Sequence, residues 1–65
     1  PQLFNNLGTA YMRTGQNQLA INTFEKTLNV DKSNKAALRN LVQLYSQQGN
    51  VQAASNYQQR LQSIN

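Results

Sequence analysis

Residues 7–15 read LGTAYMRTG, and residues 41–49 read LVQLYSQQG. Each stretch has Leu, then Tyr four positions on, then Gly after four more: Leu7, Tyr11 and Gly15 in the first, Leu41, Tyr45 and Gly49 in the second. The two are offset by 34 positions. The same shift lays Phe4 on Leu38, Ala20 on Ala54 and Val30 on Ile64. Large apolar residues meet large ones, small meets small, and glycine meets glycine. A set of matches in one register marks a repeated structural unit.

Within each unit the apolar period is helical. Leu3, Phe4, Leu7, Ala10 and Tyr11 recur at spacings of three and four, which places them on one helix face. Gly15 follows, where a left-handed backbone ends a helix at little steric cost. A second stripe, Ala20, Ile21, Phe24 and Leu28, runs up to Asp31-Lys32-Ser33-Asn34, a polar turn that offers an N-cap to the next helix. Leu38, Leu41, Leu44 and Tyr45, then Gly49-Asn50, then Ala54, Tyr57, Leu61 and Ile64 repeat the pattern. The spacing predicts an all-α fold with helices near 2–14, 18–30, 35–48 and 51–63. They form two helical hairpins, residues 1–34 and 35–65, in one domain. A hairpin cannot bury its apolar face alone, and a stacked neighbour lets it do so.

The first copy resembles the tetratricopeptide repeat. Phe4-x-x-Leu7-Gly8-x-x-Tyr11 followed by Ala20-x-x-x-Phe24 is similar to that family's spaced signature, with Phe where Trp is commoner, and the period is the family's period. The resemblance covers the whole chain and implies tandem antiparallel helical hairpins, a fragment of an α-solenoid. Gly8 and Ala20 are small where two helices cross closely, and Tyr11 and Phe24 are large beside that crossing.

Departures from the pattern carry their own expectations. Lys32 stands where the family usually has Pro, and Thr27 where it has Ala. Val42 replaces Gly8, which should open the second crossing slightly. Ser55, Gln58 and Gln62 replace Ile21, Phe24 and Leu28, so the outer face of the last helix is polar. Terminal repeats need such a face, and residues 51–65 are expected to close the C-terminal end of an array. Leu3 and Ala10 leave apolar surface at the other end, where an earlier repeat could sit. With no initiator Met, the chain is expected to belong to something longer.

The composition excludes most chemistry. Among 65 residues there is no His and no Cys, so neither a Ser-His-Asp or Cys-His constellation nor a zinc-type ligand set has members. The acids are Glu25 and Asp31. Six positions apart on a helix puts them about 240° around the axis, so they do not share a face as a two-carboxylate mechanism requires. The three glycines are a packing site and two turns and do not form a phosphate loop. The tyrosines fall on apolar stripes and read as core. No cofactor or metal is expected, and no apolar run is long enough to span a membrane. Asn and Gln together number 20, dispersed between apolar positions as an uncharged solvent face.

A non-enzymatic protein-interaction module is the function that the resemblance implies. In that family the first helix of each hairpin lines a concave groove that binds extended peptides. By motif position the groove would show Gln2, Asn5, Asn6, Thr9, Met12 and Arg13, then Ala36, Arg39, Asn40, Gln43, Ser46 and Gln47. Asn6 and Asn40 match a frequent family asparagine whose amide both donates and accepts. Members that clamp a free C-terminal carboxylate use Lys, Asn and Arg across three repeats. Here Asn40 matches, but Asn5 and Thr9 stand where Lys and Asn would, and there is no third repeat.

Net charge is +4, and both acids lie off the groove helices. Arg13, Lys35 and Arg39 lie on or beside the groove. Lys35 and Arg39 are four apart and repel by about a few tenths of a kcal/mol. They also sit at a helix start, where the dipole disfavours cations. That placement points to a protein or peptide partner that is acidic or carries a free C-terminal carboxylate. Two other functions follow from other features. Apolar surface at the N-terminal end would support homodimerisation. Single-stranded RNA binding, known for related helical repeats, is disfavoured because Phe4, Tyr11 and Tyr45 are needed for packing.

Overall fold

The structure, a computed structural model, describes residues 2–64. Pro1 and Asn65, at the outer ends of the two expected units, lie outside the described residues. Four helices run in chain order: α1 Gln2–Arg13, α2 Asn17–Val30, α3 Lys35–Gln47 and α4 Val51–Gln62. Each boundary lies within about a residue of the periodicity reading. α1 packs on α2, α2 on α3, and α3 on α4. These are two antiparallel hairpins with α2 as the shared wall, the tandem architecture that the period requires.

The hairpin turns are built alike. Gly15 and Gly49 take φ of 75° and 77°. In the first turn the Gly15 N–H donates to the Met12 carbonyl and the Gln16 N–H to the Tyr11 carbonyl; in the second, Gly49 donates to Ser46 and Asn50 to Tyr45. This is the Schellman arrangement, which satisfies the last carbonyls of a helix and needs a left-handed residue that glycine supplies cheaply. α3 and α4 start on side-chain caps: the Asn34 side chain accepts from the Ala37 N–H at 3.0 Å and that of Asn50 from the Ala53 N–H at 3.2 Å.

The core lies between α2 and α3. Ala20, Ile21, Phe24, Leu28, Ala37, Leu38, Leu41 and Leu44 form one buried cluster, with Tyr11, Met12, Tyr45, Tyr57, Leu61 and Ile64 packed against it. Thr27, in place of the family's Ala, is fully buried and donates its hydroxyl to the Thr23 carbonyl, so no polar group there is left unpaired. Lys32, in place of Pro, is exposed.

The α1–α2 crossing depends on Gly8. Its backbone lies directly on the ring of Phe24: a Cβ there would stand 2.7 Å from Cε1 and Cζ of that ring. The second crossing was expected to open at Val42, yet the two hairpins pack to the same degree. The reason is a compensating exchange. Phe24's counterpart is Gln58, which is exposed, so no aromatic ring stands opposite half-buried Val42.

The two ends of the stack differ. Leu3 is 78% and Leu7 45% exposed, while their counterparts Ala37 and Leu41 are fully buried. Ser55, Gln58 and Gln62 on α4 are all exposed.

Gly8→Ala is expected to lower stability by roughly 1–3 kcal/mol, because Phe24 is buried on every side and cannot withdraw from the new methyl. Urea unfolding measures it directly. An unchanged midpoint would show that the ring has room to slide.

Candidate functional site

The residues expected to line a groove do not share one state. Asn6, Arg13, Arg39, Gln43 and Gln47 are exposed on α1 and α3, and Gln2, Ala36 and Ser46 are exposed beside them. Thr9 is half-buried, and its hydroxyl donates to the Asn5 carbonyl at 2.9 Å. Asn40 is half-buried. Met12 packs against the core cluster, because its position on α1 turns it toward the second hairpin.

Asn5 has a structural duty. Its Nδ2 donates to Asn34 Oδ1 at 3.0 Å, the same oxygen that caps α3. Asn34 Nδ2 in turn reaches Asp31 Oδ2 at 3.3 Å, and Asp31 Oδ1 accepts from the Ser33 N–H at 3.3 Å. This chain ties the start of α1 to the turn between the hairpins and fixes Asp31 there. Asn5 Oδ1 is buried with no partner among the described residues. That oxygen is enclosed, and one of the two amide N–H groups is committed to Asn34.

A notch of about 380 Å³ opens on α1, lined by Asn6, Thr9, Ala10, Arg13 and Thr14. Positions 6, 9, 10 and 13 stand at i, i+3, i+4 and i+7, the four neighbours that surround a hole on a helix surface. Asn6, Thr9 and Arg13 are thus brought together. Ala10 forms the floor, where the second copy carries the bulkier Leu44.

Periodicity alone does not reveal a second cluster. Glu25 on α2 accepts from the Tyr45 hydroxyl at 3.0 Å and from the Tyr57 hydroxyl at 3.2 Å, so one carboxylate joins α2, α3 and α4. The two rings stack with centroids 5.8 Å apart, and the Arg60 guanidinium lies 5.5 Å from the Tyr57 ring centroid. Glu25, Leu28, Asn29, Lys32, Tyr57 and Arg60 line a cleft there. Burial, then the hydrogen bond from Tyr45 to Glu25 and that carboxylate's charge, push the Tyr45 hydroxyl up to about 12. Burial and then Glu25 also raise Tyr57, against a lowering by Arg60. Both phenols therefore stay protonated at neutral pH and donate to Glu25, so the cluster ties α2, α3 and α4 together. One signal in the sequence pointed here: Glu25 stands at helical spacing from Ile21 and Leu28, beside a buried stripe.

The family model of the tetratricopeptide repeat matches residues 1–64. No curated protein matches the chain.

Two predictions follow from the hydrogen-bonded clusters. Asn34→Ala removes the α3 cap and the partner of Asn5 together, and should cost about 0.5–2 kcal/mol in chemical denaturation. For Tyr45 the folded pKa of about 12 lies above the unfolded value of 10.0, so its contribution to stability is complete below pH 10 and is lost as pH rises toward 12, and Tyr57 is shifted in the same direction. Ultraviolet titration should show Tyr45 and Tyr57 ionising late. Glu25→Gln should move both toward 10, with the part due to burial remaining.

Proposed function

We infer the function from family membership: the chain belongs to the tetratricopeptide repeat family, whose members are generally non-catalytic scaffolds for protein–protein interaction. Its partners are accordingly proteins. No helix among the described residues is long and apolar enough to cross a membrane.

The α1 and α3 surface receives an extended, acidic segment of a partner protein. One observation carries this reading: the distribution of charge. Both carboxylates are occupied, Glu25 by two tyrosine hydroxyls and Asp31 by Asn34 and the Ser33 N–H. Arg13, Lys35 and Arg39 stand exposed on the other helices of the hairpins. The surface is therefore cationic and free of competing acids, which suits a peptide carboxylate. Asn6 and Asn40 stand on the same two helices as these charges and can hold peptide backbone groups. The exposed Ser55, Gln58 and Gln62 support the reading that α4 closes the stack, since a following α1-like helix would bring leucines against polar side chains. RNA is disfavoured because Phe4, Tyr11 and Tyr45 are half-buried in packing and leave no free stacking platform on these helices.

Fluorescence anisotropy with acidic peptides of varied sequence tests the reading. Arg39→Ala should weaken binding by about three- to tenfold while leaving urea unfolding within about 0.5 kcal/mol of the parent, because Arg39 is exposed. Affinity should also fall as salt rises. Binding that ignores both Arg39 and salt would remove the charge argument.

A further inference from the structure

Two cations meet in the cleft between α2 and α4. On one side stand Asn29 and, just past the end of α2, Lys32; on the other stand Tyr57 and Arg60. The stacking of the second hairpin on the first makes this cleft, because its walls come from both. Tyr57 corresponds, 34 positions back, to Thr23. Thr23 is buried and donates to the Leu19 carbonyl within its own helix, whereas Tyr57 is half-buried and reaches across to Glu25.

Arg60 is held over the cleft. Its guanidinium lies 5.5 Å from the Tyr57 ring centroid, and its Nη2 donates to the Lys32 carbonyl at 3.5 Å, a contact across 28 positions. The second cation is thus drawn to the residue that carries the first, against their mutual repulsion. Neither acid offsets them by direct pairing: Asp31 is engaged by Asn34 and the Ser33 N–H, and Glu25 Oε2 takes both tyrosine hydroxyls. Lys32 is exposed, and it stands where proline would give a firmer turn, so folding does not account for it. A guanidinium carries several N–H donors in a planar fork, and only one contact to the chain uses that fork here.

The cleft of about 380 Å³ is near the lower end of the range for ligand sites, which suits a single head group. Glu25 also lines it, so the two cations leave an excess of one positive charge. A phosphomonoester, with about −1.5 to −2 charge at neutral pH and three acceptor oxygens, gains more from that excess than a singly charged carboxylate does. Its oxygens can take the arginine fork, the lysine ammonium and an amide N–H together.

We propose that this cleft binds the phosphate of a phosphorylated side chain on a partner protein, with Arg60, Lys32 and the Asn29 amide donating to its oxygens. That the phosphate arrives on a protein rests on the family reading of the partners. The site itself uses no residue of the α1 and α3 surface.

The isotopically labelled 65-residue protein is titrated with a capped Ala-phosphoserine-Ala peptide and followed by amide chemical shifts. Asn29, Lys32, Tyr57 and Arg60 should shift and saturate at millimolar peptide. The glutamate analogue should bind at least about fivefold more weakly, and the serine analogue should not bind. Arg60→Gln and Lys32→Gln, both at exposed positions, should each weaken binding about fivefold or more with an unchanged urea midpoint. Lys32→Gln keeps the test decisive should Arg60 prove necessary to hold α4. Arg39→Ala should leave the phosphopeptide affinity unchanged, which separates this site from the acidic-peptide surface. Shifts confined to α1 and α3 and abolished by Arg39→Ala would overturn the proposal while that reading stood. Lys32→Gln protein that binds as the parent does, or glutamate bound as tightly as phosphoserine, would overturn it as well. Tighter binding of a uridine oligonucleotide at these residues would overturn it in favour of a phosphodiester backbone.

Discussion

The ring of Phe24 lies against bare backbone at Gly8, and the rest of the molecule is arranged around that contact. A buried aromatic side chain removes a large apolar area from water, and it does so here without a side chain between it and α1. Phe24 belongs at the same time to the cluster that α2 shares with α3. One residue therefore sets the distance within the first hairpin and anchors the stacking of the second upon it. Ala20, also fully buried, keeps the same helix close to its neighbours. The second hairpin reaches equal closeness by another route. With Gln58 in the place of the ring, Val42 can be larger than glycine, so the repeat conserves packed volume and not residue identity.

Around this apolar joint the polar contacts act as long-range ties. Glu25 gathers hydroxyls from α3 and α4, and Asn34 links α1, the inter-hairpin turn and the first turn of α3. Each is a small cluster in which most donors and acceptors are matched, which is the condition for a partly buried polar group to be tolerated. A chain of this size has little apolar surface to bury, and the network between hairpins supplements a core that lies mainly along one interface. The same ties withdraw the two acids from solvent. The cationic character of the α1 and α3 surface is thus partly a consequence of how the hairpins are joined.

How far the sequence could be read depended on whether the relevant signal was local. Helix spans, the left-handed Gly15 and Gly49, the caps at Asn34 and the close approach at Gly8 are set by residues within a few positions or by a short repeating period. They were legible for that reason. The polar outer face of α4 was legible too, because it came from comparing one copy with the other. The Glu25 cluster was not: its partners lie 20 and 32 positions away and meet only when the helices are stacked. The same holds for Asn5, which read as a groove residue and is tied to Asn34 across 29 positions. Met12 read as groove-lining and packs toward the core, since a single helix face does not say how far a neighbouring helix reaches around it. Val42 taken alone implies a wider crossing, but the facing residue, Gln58, is 16 positions away and decides how much room there is.

The asymmetry between the two copies is where the fold turns into function. In a perfect repeat every face would find its complement, and nothing in the chain would distinguish one end from the other. Here the departures that distinguish the two ends fall on surfaces: exposed leucines on the open side of α1, exposed glutamines and serine on the open side of α4. A polar face opposite an apolar one cannot satisfy both by stacking copies, because each apolar side chain would be buried against groups that lose water without gaining hydrogen bonds. The chain is therefore directional. One side is apolar and the other polar, and the exposed Arg13, Lys35 and Arg39 stand on α1 and α3. Directionality of this sort is a form of specificity by exclusion, since the mismatched end raises the free energy of the wrong assembly without adding any contact to the right one.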